Sequence, residues 1–481
     1  MLPRENRRVI SLAWHLLFAC LAGLALRLFF VLVYASDAGD TPIYEQLAWN
    51  WLDHHVYGIW INGQLMPVDI RLPGYPAFLA FISLLFGRGR MPILLSQTFV
   101  DLATCVLAAG LAALLAPAQY RRRTFIAAAW LAALCPFLAN YCAVPLTEVP
   151  AAFLCTVATI YFVRGFVSDD SSVTPWLIGG LFTGLAALFR PETPLLAVVT
   201  GVLLAVRWWR PRDWSRLART GTMIGFGILL PLLPWAARNW RTLHEVRLLA
   251  PRYAELPFEY VPRGYYAWTG TWLFRFRDVN TAIWQLEDEP LTVNDFPSYA
   301  FDSDSERTRV AQLLQAYTDD GEDILPSTDQ GFAELAHERT KRRPLRTYFW
   351  IPFQRALTIW FTPRLELLPY SGKLWPPVEA WSEDPVDFSF TAILGLLDFL
   401  FVALALIGFW IGCKRAAKDD GSGWAFAFLG LYLIVRTAFL TTVEAPEPRY
   451  VLVAFPIVFA LAALAFSRAP NALNNHESAA R

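Results

Sequence analysis

Residues 34–52 read YASDAGDTPIYEQLAWNWL, directly after an apolar run over 10–34. Asp37 and Asp40 stand just past a segment long enough to cross hydrocarbon. An ionised carboxylate at such an exit is costly unless it faces water or has a task. Tyr44 and Ala48 follow Asp40 at helical spacing, so the acid heads an amphipathic helix lying against a membrane surface. This placement points to chemistry at the lipid–water boundary.

The rest of the chain supplies the membrane context. Hydrophobic residues make up 56% of the 481 positions and charged residues 17%, against about a quarter charged in a soluble domain. The expected fold class is an all-α polytopic membrane protein. Spans are expected near 10–34, 91–116, 124–141, 148–166, 174–190, 193–209, 220–236, 388–412, 423–442 and 450–467, ten in all. Leu72–Phe86 opens with Pro73, Gly74 and Pro76, and Tyr348–Phe361 holds Pro352, Gln354 and Arg355. Both read as juxtamembrane or re-entrant helices, and if both cross, the count is twelve.

The basic stretch Met1–Arg8 before so long an apolar run reads as an uncleaved signal anchor. Arg4, Arg7 and Arg8, then Arg121–Arg123, then Arg207, Arg210, Arg212, Arg216 and Arg219, then Lys414, Arg415 and Lys418 all fall on one side, the cytoplasmic one by the positive-inside rule. Segments 35–90, 141–148 and 237–387 fall on the other. Three regions are expected: 1–236 with external loop 35–90, an external segment 237–387 with a membrane-associated helix near 348–361, and 388–481 with a cytoplasmic tail. Segment 237–387 is rich in Asp, Glu, Pro and aromatics and reads as folded. Lys+Arg and Asp+Glu both number 41, and with no basic domain or zinc spacing nucleic acid is not an expected partner. The cysteines (20, 105, 135, 142, 155 and 413) lie in or beside apolar runs without paired spacing and read as packing residues.

Polar groups recur at the non-cytoplasmic span ends. Arg71 opens Arg71-Leu72-Pro73-Gly74-Tyr75-Pro76. Glu148 closes Pro145-Leu146-Thr147-Glu148, and Arg190 and Glu192 join two spans. Arg238 lies in Pro234-Trp235-Ala236-Ala237-Arg238-Asn239-Trp240, and Glu444, Glu447, Arg449 and Tyr450 precede the last span. Each has a plainer reading. Asp40 or Thr41 can cap the following helix, with Pro42 in its first turn. Asp37 fits a solvated loop, and His54 and His55 an interfacial face. Arg71 and Arg238 can anchor at head groups, and Glu148 can cap its helix. Arg190 can pair with Glu192, and Arg449 with Glu444 or Glu447. Their common sidedness is the stronger signal: acids and arginines from five or six helices on one face suit an anionic lipid head group beside a base.

With these residues in hand, the chain resembles a bacterial GT-C glycosyltransferase of the dolichyl-phosphate-mannose–protein mannosyltransferase-like superfamily, which includes lipid A aminoarabinose transferases. The resemblance covers about the first 240 residues and the stretch before the last span. Asp40, Tyr44 and Ala48 match its acid and amphipathic helix, and Val56-Tyr57-Gly58 ends that match. Arg71 to Pro76, Thr147-Glu148, Leu188-Phe189-Arg190-Pro191-Glu192, Pro234 to Trp240 and Glu447-Pro448-Arg449-Tyr450 match further phrases. In one departure, Thr41 follows Asp40 where many members carry an Asp-Glu pair. Segment 237–387 matches no part of the family.

The resemblance implies an integral-membrane enzyme of the cell (inner) membrane whose site faces the periplasm or exterior. Its donor would be a polyprenyl-phosphate sugar, its acceptor a hydroxyl of an envelope glycan, lipid or protein, and its course inversion. In that setting Asp40 is the candidate general base. Arg71, Arg238 and Arg449 are candidates for the donor phosphate. Tyr44, Tyr57 and Trp60 are candidate contacts to substrate, with membrane lipids as the other partners. Glu148 and Asp40 are the candidates for a divalent metal cation. The rival reading is a membrane transporter or lipid flippase, which favours repeats and charges at mid-membrane. No repeat is detected, and most ionisable residues lie at span ends.

Overall fold

The computed structural model describes residues 4–168, 172–209, 212–253, 260–286, 289–319, 321, 324–416 and 420–467. Arg210, Lys418 and the tail expected over 468–481 lie outside the described residues. The chain opens with α1 (Arg4–Val33) and α2 (Thr41–His54), then a hairpin of β1 (Gly58–Ile61) and β2 (Gln64–Pro67), then α3 (Gly74–Phe86) and α4 (Arg90–Leu115). It continues through α5 (Arg121–Ala133), α6 (Pro136–Tyr141), α7 (Glu148–Val167), α8 (Thr174–Ala187), α9 (Leu195–Trp209) and α10 (Trp214–Leu243). A segment with α11 (Arg263–Thr269), α12 (Asp304–Asp319) and α13 (Pro326–Arg342) follows. The last elements are α14 (Ile351–Phe361), α15 (Pro377–Glu383), α16 (Pro385–Ala416), α17 (Asp420–Leu440) and α18 (Phe455–Leu464).

Among the described residues, seven stretches are long and apolar enough to cross a membrane: Leu12–Val33, Arg90–Leu115, Glu148–Val167, Trp214–Leu243, Pro385–Ala416, Gly421–Leu440 and Pro448–Ser467. Three apolar helices are shorter: α3, α8 and α9. The protein is multi-pass and essentially all-α, as hydrocarbon demands of a backbone that must satisfy itself. The span expected over 124–141 is broken into α5 and α6. Pro136 cannot donate to the carbonyl four residues back. Arg27 of α1 compensates: its guanidinium donates to the Ala133 carbonyl at 2.7 Å and the Ala132 carbonyl at 3.3 Å, and pairs with Asp101 of α4 at 2.6 Å. A second fully buried pair, Arg364 and Asp398 at 2.6 Å, joins the chain after α14 to α16. Each of these charges has its partner within the bundle, so both pairs tie helices together.

The hairpin was not expected from the helical reading of loop 35–90. Asn62 (φ 50°) and Gly63 (φ 77°) both take left-handed conformations between paired strands, the geometry of a two-residue type I′ turn. Small residues then bring helices close. A Cβ on Gly180 or on Gly184 of α8 would lie 2.4 Å from a carbonyl oxygen of α10, so only glycine lets these two backbones approach so nearly.

One end of the bundle is laced together by backbone contacts. The Ser36 N–H donates to the Ala143 carbonyl at 3.3 Å, and the Gly74 N–H to the Leu188 carbonyl at 2.8 Å. Gly74 is fixed by that approach, since a Cβ would sit 2.6 Å from the Leu188 oxygen and 2.5 Å from the Phe189 ring. Gly74→Ala is therefore expected to force Arg71 and the Leu188 turn apart, lowering stability by about 1–3 kcal/mol as overpacking does. A thermal melt of the detergent-solubilised variant measures this, and an unchanged midpoint would show that the contact yields freely.

The segment after α10 builds a separate core around Tyr265, Trp268, Trp272, Phe296, Val310 and Phe332, and Ala445 from the turn before the last span joins it. This places a folded layer directly over the laced end of the bundle.

Candidate active site

Asp40 occupies the cap position of α2, yet its side chain makes no capping hydrogen bond. Thr41 holds the turn instead: its hydroxyl accepts from the Ala38 N–H at 3.1 Å and donates to the Pro145 carbonyl at 3.2 Å. The Asp40 carboxylate turns away from the helix. It receives the Arg71 guanidinium at 2.7 Å and lies 3.7 Å from Arg449. Burial by itself pushes the Asp40 carboxyl up, but the charges of Arg71, Arg449 and Arg190 more than offset it, so it titrates below the ordinary aspartate range. Burial works against the Arg71 cation as well, and Asp40 reverses the effect, holding the guanidinium's pKa above its usual value.

From Asp40 a row of alternating charges runs into the bundle. Arg449 lies 3.8 Å from Glu148. Glu148 accepts from Arg190 at 2.9 Å, Arg190 donates to Glu192 at 2.7 Å, and Glu192 receives Arg436 of α17 at 3.1 Å. Glu447 flanks the row, accepting from Arg449 at 2.5 Å and from the Tyr450 hydroxyl at 2.5 Å. The Tyr450 ring lies under both Arg190 and Arg449, 5.0 and 5.5 Å from their guanidinium carbons. The Arg190–Glu192 pair closes the α8–α9 turn. Of the two partners open to Arg449, Glu447 is taken, while Glu444 pairs with Arg252 at 3.3 Å. Alternation lets each charge be buried beside its opposite.

The remaining candidates divide. Tyr44 is buried with its ring edge-on to Tyr75 at 5.1 Å. Tyr57 is buried and its hydroxyl donates to the Arg71 carbonyl at 2.9 Å, so it braces the arginine from behind. Trp60 stands half-exposed on β1, its indole N–H on the Asn50 side-chain oxygen at 3.2 Å. Arg238 does not join the charged row. Its N–H groups serve the Val68 carbonyl at 2.9 Å and the Tyr57 carbonyl at 2.5 Å, and its guanidinium lies over the Tyr57 and Trp235 rings. That engagement clips the strand-bearing loop to α10. Asp37 pairs with Arg90 at 3.0 Å near the surface.

Two groups at the site were not singled out by sequence. Arg436 sits inside an apolar span, where a lone arginine gives no hint of its partner. Glu366, in the chain between α14 and α15, accepts from the Tyr141 hydroxyl at 2.5 Å, and burial raises its pKa despite that bond and the nearby Arg364 and Arg449. No motif marks either one.

The carboxylates named as metal candidates do not fit a divalent ion. Arg449 stands between Asp40 and Glu148, so the two acids face a guanidinium rather than one another. Among the described residues no group of three or more His, Cys, Asp or Glu side chains gathers to hold a metal. A cation of higher charge would have to displace the arginine first.

A family model described as dolichyl-phosphate-mannose-protein mannosyltransferase matches residues 71–235, a stretch that holds Arg71, Glu148 and Arg190. No curated protein matches the sequence. Among solved structures, the Archaeoglobus fulgidus oligosaccharyltransferase complex with Zn and sulfate aligns at 12% identity and TM-score 0.46, over 93% of this chain and 48% of its own. The oligosaccharyltransferase AglB from the same organism, in complex with an inhibitory peptide and a dolichol-phosphate, aligns at 14% identity and TM-score 0.45, over 94% and 50%. ArnT from Cupriavidus metallidurans aligns at 15% identity and TM-score 0.37, over 91% and 78%. The chain thus spans about half the length of the oligosaccharyltransferases it matches. Over residues 71–235 this multi-pass membrane chain is similar to the family described as dolichyl-phosphate-mannose-protein mannosyltransferase.

Proposed function

We propose that this chain is an integral-membrane glycosyltransferase. It moves a sugar from a polyprenyl-phosphate donor to an acceptor hydroxyl on the non-cytoplasmic face of the cell membrane. The observation that carries the reading is the Asp40 carboxylate, released from its capping role and held 2.7 Å from Arg71 at the laced end of the bundle.

In this reaction the acceptor oxygen forms a bond to the anomeric carbon as the bond from that carbon to the phosphate oxygen breaks. The electron pair leaves with the polyprenyl phosphate, and the acceptor proton passes to Asp40. A single displacement inverts the anomeric centre. Arg71 has one guanidinium arm on Asp40 and one on the Ile70 carbonyl. As the phosphate leaves, this guanidinium turns from Asp40 to the growing negative charge, which stabilises the leaving group and restores the basicity of Asp40. Arg449 holds the opposite side of Asp40 and keeps the carboxylate aimed. Arg238 acts at a distance, fixing the loop that carries Tyr57 and, through it, Arg71.

Arg71→Ala is expected to lower kcat/KM for a polyprenyl-phosphate hexose by roughly 10²–10³-fold, the scale of losing one charge-stabilising donor. Steady-state kinetics on the purified chain measure it. Unchanged kinetics would reduce Arg71 to a brace for α2.

A further inference from the structure

Between the charged row and the folded layer above it lies a cleft of about 330 Å³, near the lower end of the 300–1,000 Å³ usual for small-molecule sites. Its floor holds Arg71, Glu447 and Tyr450, side chains that touch Asp40, Arg449 or Arg190 directly. Its roof belongs to the segment after α10, with Tyr253, Tyr260, Tyr266 and Trp284. The Tyr253 and Tyr266 rings are stacked at 5.9 Å and 11°. Trp284 and Tyr260 are 45% and 44% exposed, so their faces are open to a ligand. Arg252 crosses from roof to floor, donating to Glu444 at 3.3 Å and to the Thr442 carbonyl at 3.1 Å.

We infer that this cleft is the acceptor subsite and that its ligand is a neutral saccharide. The inference rests on the transferase reading above and names the acceptor class that reading leaves open. A pyranose has a C–H face that packs on an aromatic ring and a rim of hydroxyls that both donate and accept. The cleft offers open aromatic faces beside carboxylates that accept and guanidinia that donate. Its charges are already matched, Arg252 to Glu444 and Arg71 to Asp40, so a phosphorylated or sulfated ligand would find no net positive charge. A peptide acceptor would want an exposed strand edge or a row of apolar pockets, and the two strands among the described residues pair with each other near α2, outside this lining. Arg71 sits in the floor and on Asp40 at once, so a sugar hydroxyl bound at the Arg71 end of the cleft comes next to the base. There its proton goes to Asp40 as the bond to the donor's anomeric carbon forms and the polyprenyl phosphate departs.

The test is saturation-transfer NMR on the full chain in lipid nanodiscs. The probes are the methyl glycosides of glucose, galactose, mannose and N-acetylglucosamine, together with glucose 6-phosphate and an Ala-Thr-Ala tripeptide. At least one neutral glycoside is expected to bind, and Trp284→Ala and Glu444→Gln are each expected to weaken it about ten-fold, the scale of losing one aromatic or polar anchor. Glu444→Gln keeps size and packing, which guards against a folding defect in the tryptophan variant. No binding by any neutral glycoside overturns the inference, as does binding that both variants leave intact, or capture of only the phosphate or the tripeptide. The two readings fail separately. A glycoside bound in the cleft but elongated from no polyprenyl-phosphate sugar would sink the transferase reading alone. Transfer to the tripeptide without glycoside binding would sink the saccharide subsite alone.

Discussion

Asp40→Asn is expected to lower the turnover of sugar transfer by roughly 10²–10⁴-fold, the usual contribution of a positioned general base, while the chain still folds. Asparagine keeps the shape of the side chain and can still accept from Arg71, and the α2 cap does not depend on it because Thr41 holds the turn. The variant should therefore fold and still bind donor, melting below the parent because the ion pair with Arg71 is lost. Full activity in Asp40→Asn would remove the base assignment. The pH profile gives a second reading of the same group. Because the neighbouring arginines hold Asp40 below the ordinary aspartate range, kcat/KM should stay level as pH falls from neutral to that range and drop only below it. The linked stability has the same sign: a depressed carboxylate stabilises the fold above its unfolded pKa, and that contribution is lost as pH falls through the folded value. An acid limb centred near neutrality would assign catalysis to another group.

Arg449→Met carries the other large effect. Removing the guanidinium leaves Glu447, among the described residues, with only the Tyr450 hydroxyl and takes the intervening cation from between Asp40 and Glu148. Breaking a buried pair from one side costs about 3–5 kcal/mol, so the variant should unfold well below the parent in a thermal melt. A melting midpoint equal to the parent's would show that the contacts of Arg449 with Asp40, Glu148 and Glu447 contribute nothing net.

How far residues can be read before folding is visible in this same cluster. Asp40, Arg71, Glu148, Arg190 and Arg449 stand at span ends on a common side, and sidedness follows from run lengths and basic loops alone. Arg436 and Glu366 could not be found that way, because a single charge in an apolar or irregular stretch does not name its partner across the bundle. Arg238 shows the converse limit: its position in sequence matches the others, but two carbonyls of the 57–68 loop claim its N–H groups. The Asn62-Gly63 turn is a different matter. Its dipeptide is a hairpin signal, and the expectation of helix alone passed over it. The break at Pro136 was equally open to reading, whereas the arginine that compensates it comes from a helix more than a hundred residues earlier.

That arginine also sets an order of events during synthesis. Arg27 lies within the first apolar run, and its carboxylate partner Asp101 is 74 residues further along the chain. Until Asp101 has emerged, the first helix carries an unmatched charge worth about 2.5–3.5 kcal/mol against insertion at mid-bilayer. The first helix is therefore expected to be fully stable in the lipid only once α4 has supplied Asp101.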